Sequence, residues 1–134
     1  MTAEPRTALV TGASRGIGAA IALRLARDGH HLAVNYVEES ARDNAAEADE
    51  VVEAIHAMGV EAVCIEADVT DREAVAEMFA YVAQRLGPVD VLVNNAGITR
   101  DRTLRKLAPE DWDAVLAVNL TGGFNCAQAA VEGM

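Results

Sequence analysis

Short apolar runs alternate along the chain with longer segments in which apolar residues recur at every third or fourth position. The short runs predict four β-strands, at Thr7–Thr11, His31–Tyr36, Val60–Glu66 and Val89–Val93. The longer segments predict a helix after each strand, over Gly16–Asp28, from the acidic stretch Glu38–Glu50 to Gly59, over Thr70–Leu86, and from Pro109 towards Met134. The chain therefore alternates strand and helix throughout, with no internal repeat and no linker.

This alternation predicts an α/β fold. Helical crossovers between successive strands are typical of a parallel sheet that carries helices on both faces. We expect a doubly wound, Rossmann-type sheet whose visible part has the strand order 3-2-1-4. In such a sheet a ligand binds beyond the carboxyl ends of strands 1 and 4, where the strand order reverses.

Individual residues add local predictions. The apolar positions that mark the helices are Ile17, Ile21 and Leu25 in the first helix and Val51, Ile55 and Met58 in the second. Thr70 is predicted to be the N-cap of the third helix, because Glu73 stands at the matching capping-box position. Trp112 is predicted to be a packing anchor of the last helix. Cys64 and Cys126 are interpreted as small core residues.

The charge of the chain excludes some classes of partner. Its 11 basic and 21 acidic residues give a formal net charge of −10, which repels nucleic-acid phosphates and anionic membranes. A phosphate-bearing ligand must then be held locally, by backbone amides or a few arginines. No uninterrupted apolar run reaches the roughly 18 residues of a membrane span, and the N-terminus carries no signal-like apolar stretch. We therefore expect a cytoplasmic protein with reduced thiols.

Two further groups of residues are candidate sites. No metal site is predicted, because His30, His31 and His56 lack metal-ligand spacing. A basic cluster lies before the last helix and consists of Arg100, Arg102, Arg105 and Lys106. This cluster suits an acidic carrier protein or a coenzyme A phosphate, and a solvated loop is the alternative.

A glycine-rich motif, Thr11–Gly18, joins the first predicted strand to the first predicted helix. Gly12 permits the tight turn, Gly16 allows a pyrophosphate to approach the backbone, and Gly18 allows the helix and strand to pack closely. The start of the helix offers free N–H groups and the positive end of a dipole to phosphates. An ordinary glycine-rich loop is the alternative, but the position between a strand and a helix favours dinucleotide binding.

Four motifs carry a resemblance to a known family, and they are Thr11–Gly18, Asp68-Val69, Asn94–Gly97 and Asn119. In this order and spacing they resemble the short-chain dehydrogenase/reductase family. The run Asn94–Asp101 further resembles the branch of 3-oxoacyl-(acyl-carrier-protein) reductases and acetoacetyl-CoA reductases. The resemblance implies NADPH-dependent reduction of a 3-oxoacyl thioester to the 3-hydroxyacyl thioester, and assembly into homodimers or homotetramers.

The resemblance also implies which residues bind the cofactor, namely Gly12, Ala13, Ser14, Arg15, Gly16, Ile17, Gly18, Tyr36, Asp68, Val69, Asn95, Ala96 and Gly97. The glycine-rich motif would line the pyrophosphate and the adenosine ribose. Asp68 would accept a hydrogen bond from the adenine amino group, with Val69 against the ring, and Asn95–Gly97 would pass beside the nicotinamide ribose. Asp68 is alternatively an acid that precedes a helix near Thr70, and Asn94 and Asn95 are alternatively a hydrogen-bonded turn.

The choice between NAD and NADP depends on the end of the second strand. An NAD-binding domain places an acid there to bind the ribose 2′-hydroxyl, and by alignment this position is Tyr36. Glu38 and Glu39 follow closely and complicate the assignment. Arg15 lies in the glycine-rich motif, from which a guanidinium reaches a 2′-phosphate. We therefore predict NADP(H).

The catalytic residues that the family implies are mostly missing from this chain. The family uses a Ser and a Tyr-x-x-x-Lys pair, in which Tyr donates the proton. Tyr36 and Tyr81 are followed four positions later by Ser40 and Arg85, so neither begins this motif. Of the catalytic set only Asn119 is present, where the family implies a backbone-bound water in a proton relay.

Residues 1–134 are therefore expected to be the NADP-binding N-terminal part of a single Rossmann-fold reductase domain, incomplete at the C-terminus. Two alternatives remain open. The chain is otherwise a non-catalytic dinucleotide-binding module, or a subunit whose second half is supplied by a separate chain.

Overall fold

The computed structural model of the protein describes residues 4–134 as a parallel sheet of four strands with flanking helices. The elements are β1 (Thr7–Val10), α1 (Gly16–Arg27), β2 (His31–Tyr36), α2 (Asn44–His56), β3 (Ala62–Glu66), α3 (Arg72–Leu86), β4 (Val91–Val93), α4 (Pro109–Leu116) and α5 (Gly122–Val131). A π-helical turn, Ala117–Thr121, joins α4 to α5. The predicted alternation of strands and helices is confirmed.

The strand order is β3-β2-β1-β4, and each neighbouring pair is parallel. This confirms the predicted doubly wound arrangement, because the order reverses between β1 and β4. The segments that leave these two strands meet at the carboxyl edge of the sheet, where the Thr11 amide donates to the Val93 carbonyl at 3.1 Å. Within residues 4–134 no strand pairs with the other side of β4, whose residues are half-buried.

Both faces of the sheet are apolar, because alternate residues of each strand point to opposite sides. One face carries Leu9, Ala33 and Val63, which pack with Met78 and Val82 of α3 and Cys126 of α5. The other face carries Val10, Leu32 and Val34, which pack with Ala22 and Ala26 of α1 and Val51 and Ile55 of α2. The sheet is therefore covered by two helices on each side, and its carboxyl edge is left free.

The buried face of α1 differs from the one that the large apolar residues mark. The buried positions are Gly18, Ala22 and Ala26, whereas the side chain of Ile17 is 75% exposed. Small residues at every fourth position allow the helix axis to approach the sheet closely, so the larger neighbours lie at the edge of the contact. The period of the pattern correctly predicted a helix, but the residues on its inner face are displaced by one position.

Four predicted boundaries are also corrected. The N-cap of α3 is Asp71 instead of Thr70, and the Asp71 carboxylate accepts from the amides of Glu73 and Ala74 at 3.0 and 3.1 Å. Met58 is exposed, because α2 ends at residue 56 and Met58 lies in the turn that follows. The strands β3 and β4 begin two residues later than predicted. Before β4, the Asp90 amide donates to the Thr7 carbonyl at 2.8 Å, and the Asp90 carboxylate accepts from the Thr7 amide at 3.0 Å.

The last helix runs without a break through α4, the π-helical turn and α5, and its outer side is exposed. Trp112 is 56% exposed, so the prediction of a packing anchor is wrong. Leu120 and Phe124 on the same helix are 67% and 54% exposed. By length and mean hydropathy this segment, Pro109–Val131, meets the minimum for a membrane span, which is weak evidence because helices of folded domains also do.

Candidate functional site

A cavity of about 390 Å³ opens at the carboxyl edge of the sheet. Of the residues predicted to bind a cofactor, its lining includes Gly12, Ser14, Arg15, Gly16, Ile17, Tyr36, Asp68, Val69, Asn95, Ala96 and Gly97. The other two, Ala13 in the glycine-rich loop and Gly18 in α1, are buried and do not line the cavity. The lining also includes residues that were not predicted, namely Asn35, Val37, Glu39, Asn44, Ala67, Ile98 and Val118.

The glycine-rich loop requires glycine for two different reasons. Gly12 and Gly16 have φ angles of 60° and 59°, a region that residues with a side chain rarely adopt. Gly18 is a matter of space, because a Cβ atom there would lie 2.5 Å from Nδ2 of Asn95 and would also collide with the carbonyl oxygen of Gly12. The start of α1 is thereby brought against both the loop after β1 and the segment after β4.

Hydrogen bonds of Thr11 and Asn95 connect the segments that follow β1 and β4, at the switch point where the strand order reverses. The Thr11 hydroxyl oxygen accepts from the amides of Asn95 and Ala96 at 3.0 and 2.9 Å. The Asn95 side chain donates to the carbonyl oxygens of Thr11 and Gly12, both at 3.1 Å. The Nδ2 group of Asn95 is thus engaged with the backbone, and the hydrogen-bonded turn proposed as an alternative for this residue is present.

Because the Thr11 hydroxyl accepts two hydrogen bonds, replacing it by a methyl group is expected to lower the free energy of unfolding. Thr11→Val has nearly the same shape but leaves the Ala96 amide without its acceptor. We therefore expect the free energy of unfolding to fall by about 1–3 kcal/mol. Thr11→Ser keeps the hydroxyl and is the matched control. Denaturant unfolding of both variants measures the difference, and equal stabilities would show that the hydroxyl contributes nothing.

Asn35 connects the glycine-rich loop to the loop after β3, and sequence reasoning missed it. Its Oδ1 accepts from the Gly12 amide at 3.1 Å, and its Nδ2 donates to the Ala67 carbonyl at 3.1 Å. The Asn35 carbonyl also accepts from the Ala13 amide at 2.8 Å. An asparagine within an otherwise apolar buried strand was the available signal, because a buried amide needs nearby partners.

Charged side chains of both signs stand near the carboxyl end of β2. Arg15 and Glu39 both line the cavity and are exposed. Among the ion pairs within residues 4–134, none involves Arg15. Tyr36 ends β2 as predicted, and burial, with the nearby Cys64 thiol and acidic groups, raises the pKa of its phenol, so the phenol is protonated at neutral pH.

The loop after β3 brings Asp68 and Val69 to the cavity. Oδ1 of Asp68 accepts from the amide and hydroxyl of Thr70 at 2.9 and 2.7 Å. Asp68 therefore has the local, helix-leading contacts proposed as the alternative for it, and it also lines the cavity. The two interpretations hold together, because one carboxylate oxygen forms the turn and the carboxylate as a whole stays exposed.

Asn119 lies in the π-helical turn beside the segment after β4. Its Oδ1 accepts from the Ile98 amide at 2.8 Å, and its Nδ2 donates to the Ile98 carbonyl at 3.0 Å. Asn119 does not line the main cavity but a small neighbouring one, which it shares with Asn94 and Val118. The side chain thus fixes the backbone that lines the main cavity.

Other titratable groups stand apart from the cavity. Burial raises the pKa of the Cys126 thiol to about 11, and burial together with the Asp49 carboxylate raises that of Cys64 to about 11. Both thiols are therefore protonated at neutral pH and are poor nucleophiles. In the basic cluster, Arg100 forms an ion pair with Asp111 at 3.8 Å. Within residues 4–134 no group of three His, Cys, Asp or Glu side chains is placed to hold a metal ion.

A doubly wound parallel sheet with a glycine-rich loop and a cavity at its switch point defines the Rossmann class of folds. The chain belongs to the short chain dehydrogenase family, whose family profile matches residues 6–134.

Curated relatives narrow the similarity within this family. The chain is 48% identical over 96% of its length to 3-oxoacyl-[acyl-carrier-protein] reductase FabG of Staphylococcus aureus, and it covers 50% of that protein. It is 49% identical to the FabG protein of Staphylococcus epidermidis, covering 51% of it. It is 47% identical over 92% of its length to the 3-oxoacyl-[acyl-carrier-protein] reductase of Synechocystis, covering 48% of it. The chain spans about half the length of these relatives.

Solved structures agree with this assignment. A structure assigned as a short-chain alcohol dehydrogenase from Sinorhizobium meliloti superposes with a TM-score of 0.88 at 40% identity, covering 98% of this chain and 50% of that one. A short-chain dehydrogenase/reductase mutant of Serratia marcescens gives a TM-score of 0.88 at 35% identity, covering 98% of this chain and 51% of that one. The family to which the chain belongs uses a nicotinamide dinucleotide cofactor.

Proposed function

We propose that the complete protein reduces a 3-oxoacyl thioester, on a carrier protein or coenzyme A, to the 3-hydroxyacyl thioester with NADPH. The observation that carries the proposal is the 48% identity to a 3-oxoacyl-[acyl-carrier-protein] reductase over 96% of this chain. The site supports it, because 11 of the residues that the resemblance assigns to cofactor binding line one cavity. The residues of this chain would supply cofactor binding and part of the proton path.

The described residues fit a dinucleotide along the cavity. The open backbone at Gly16, where a Cβ atom would meet nothing within 4 Å, leaves room for a pyrophosphate at the start of α1. Asp68 and Val69 would hold the adenine on the β3 side. Asn95–Gly97 would adjoin the nicotinamide on the β4 side, and the bound cofactor would supply the hydride.

Asn119 would act on the nicotinamide side by holding the backbone. Its amide is occupied by Ile98 on both its donor and its acceptor side, so its side chain is a positioning group. The π-helical turn around it departs from regular helical hydrogen bonding, and a water bound to a backbone group there would serve in a proton relay.

NADP(H) is the proposed cofactor because of the unpaired cation at the adenosine end. Arg15 lines the cavity and forms no ion pair within residues 4–134, so its guanidinium is available to a 2′-phosphate. Tyr36 stands where NAD-binding domains place an acid. Glu39 also lines the cavity, and its charge would weaken the preference for the phosphate.

Removing the charges of Arg15 and Glu39 one at a time tests the preference for NADP(H) over NAD(H). We expect Arg15→Ala to weaken NADPH binding about tenfold or more and to leave NADH binding nearly unchanged, because a charge-assisted contact contributes about 1.5–3 kcal/mol and NADH has no 2′-phosphate. Glu39→Gln is the matched variant, and it should strengthen NADPH binding relative to NADH. Fluorescence titration measures both, and equal losses for the two cofactors in Arg15→Ala would assign Arg15 to loop structure.

Turnover on defined ketones tests the reaction itself. The complete protein is expected to oxidise NADPH with acetoacetyl-CoA and with a 3-oxoacyl carrier protein, at rates far above those with a sugar or steroid ketone. The reverse order of rates would contradict the proposed substrate class while leaving the oxidoreductase family intact.

The exposed helix supports a further proposal about assembly. Leu116, Leu120 and Phe124 form an apolar strip on the outer side of the last helix, and such strips mark interaction surfaces. We propose that a second copy of the protein covers this strip in a homo-oligomer in the cytoplasm. Light scattering on the complete protein tests it, and a monomer would contradict it.

A further inference from the structure

One buried amide joins the adenine side of the cavity to the last helix. Asn125 of α5 is only 4% exposed, and its Nδ2 donates to the Val69 carbonyl at 2.9 Å. Val69 follows Asp68 in the loop after β3 and lines the cavity. The backbone of this loop is therefore held by a residue that is 56 positions away along the chain.

The orientation of this amide is set from its other side. Oδ1 of Asn125 accepts from the Arg72 guanidinium at 3.1 Å. Arg72 also donates to Oε1 of Gln128 and lies 5.6 Å from the centre of the Phe124 ring. Because a guanidinium only donates, it fixes Oδ1 towards itself and Nδ2 towards Val69.

Packing places α5 against the same loop. A Cβ atom at Gly122 would lie 2.5 Å from Cγ2 of Val69, so glycine at this position allows the helix to touch the Val69 side chain. The loop after β3 is thus bound to α5 by a hydrogen bond at its backbone and by contact at its side chain.

We propose that Asn125, oriented by Arg72, is a positioning residue for the adenine half of the nucleotide site. It holds the carbonyl of Val69 and thereby sets the Asp68 carboxylate and the Val69 side chain at the cavity. The inference rests on the proposed dinucleotide function, and it adds that the affinity for adenine depends on how α5 is seated.

Replacing the amide donor alone tests this role in the complete protein. Asn125→Asp keeps the size of the side chain and its contact with Arg72, but it turns a carboxylate oxygen towards the Val69 carbonyl. We expect NADPH to bind about tenfold more weakly. The hypoxanthine analogue of NADPH, which lacks the 6-amino group, should lose less, and nicotinamide mononucleotide should bind as before. Gln128→Ala is the matched control, because it contacts Arg72 but not the loop.

The possible results separate the inference from its premise. Equal losses for the adenine and hypoxanthine dinucleotides, or no loss at all, would overturn the inference. A wild-type protein that binds neither NADPH nor NADH would overturn the proposed function and the inference with it. If only NADH binds, the comparison is made with NADH and its hypoxanthine analogue. If Asn125→Asp does not fold, Arg72→Met must show the same selective loss to a smaller degree, and its absence would equally overturn the inference.

Discussion

Residues 1–134, produced on their own, are expected to oxidise no NADPH in the presence of acetoacetyl-CoA. The reduction needs a proton donor beside the nicotinamide, and a general acid of this kind contributes about 10²–10⁴-fold in rate. Tyr81 cannot supply it, because it does not line the cavity. Tyr36 lines the cavity at the end of β2, on the side assigned to adenosine.

The complete protein, assayed in parallel, is the control for this experiment. Binding of NADPH without turnover would agree with the expectation and with a role of these residues in holding the cofactor. Turnover at the rate of the complete protein would show that a proton donor lies within these residues, and Tyr36→Phe would then be the first variant to examine.

Gly18→Ala is expected to destabilise the protein by about 3 kcal/mol or more and to abolish nucleotide binding. The added Cβ atom would lie 2.5 Å from Nδ2 of Asn95 and 2.9 Å from Cα of Ala13. Neither neighbour moves freely. The Cα atom of Ala13 belongs to the backbone, and the Asn95 side-chain amide is held by hydrogen bonds to two carbonyl oxygens. Overpacking of this kind typically costs about 1–3 kcal/mol, and the lost hydrogen bonds add to it.

Gly29→Ala is the matched control, because Gly29 follows the same helix and a Cβ atom there would meet nothing within 4 Å. Its φ of 97° is unfavourable for alanine, so a loss of about 1 kcal/mol is expected there. Denaturant unfolding and NADPH titration measure both variants. A Gly18→Ala protein as stable as the Gly29→Ala protein would show that the loop yields to the added methyl group.

Periodicity and glycine positions were sufficient to predict the topology of this chain. Every strand and helix was found because apolar residues cover both faces of the sheet and one face of each helix. The sequence was less informative about contacts that depend on size and direction. In α1 the inner positions are Gly18, Ala22 and Ala26, which no scale of hydrophobicity singles out over Ile17. Trp112 was wrongly predicted to be a packing anchor, because the exposed side of the last helix also carries large apolar residues.

The cofactor residues that belong to short sequence motifs could be predicted. The side chains that hold the backbone of the site through hydrogen bonds could not. The cavity includes 11 of the predicted cofactor residues, but Thr11 and Asn35 were not singled out. Their roles depend on the distances between strands that are neighbours in the sheet and remote in sequence. The cap of α3 shows the same limit at short range, since Thr70 and Asp71 both suit an N-cap and the fold selects Asp71.

The π-helical turn at Ala117–Thr121 determines the angular phase of everything that follows it in the last helix. A turn of this kind amounts to one extra residue inserted into an α-helix, and one residue corresponds to about 100° of rotation about the helix axis. Regular α-helical winding of the same residues would rotate α5 by about that angle. Gly122 and Asn125 would then face away from Val69, and Phe124, now exposed, would take the direction of Asn125. The π-helical turn therefore lets Asn125 reach the loop beside the cavity while Leu120 and Phe124 stay exposed to solvent.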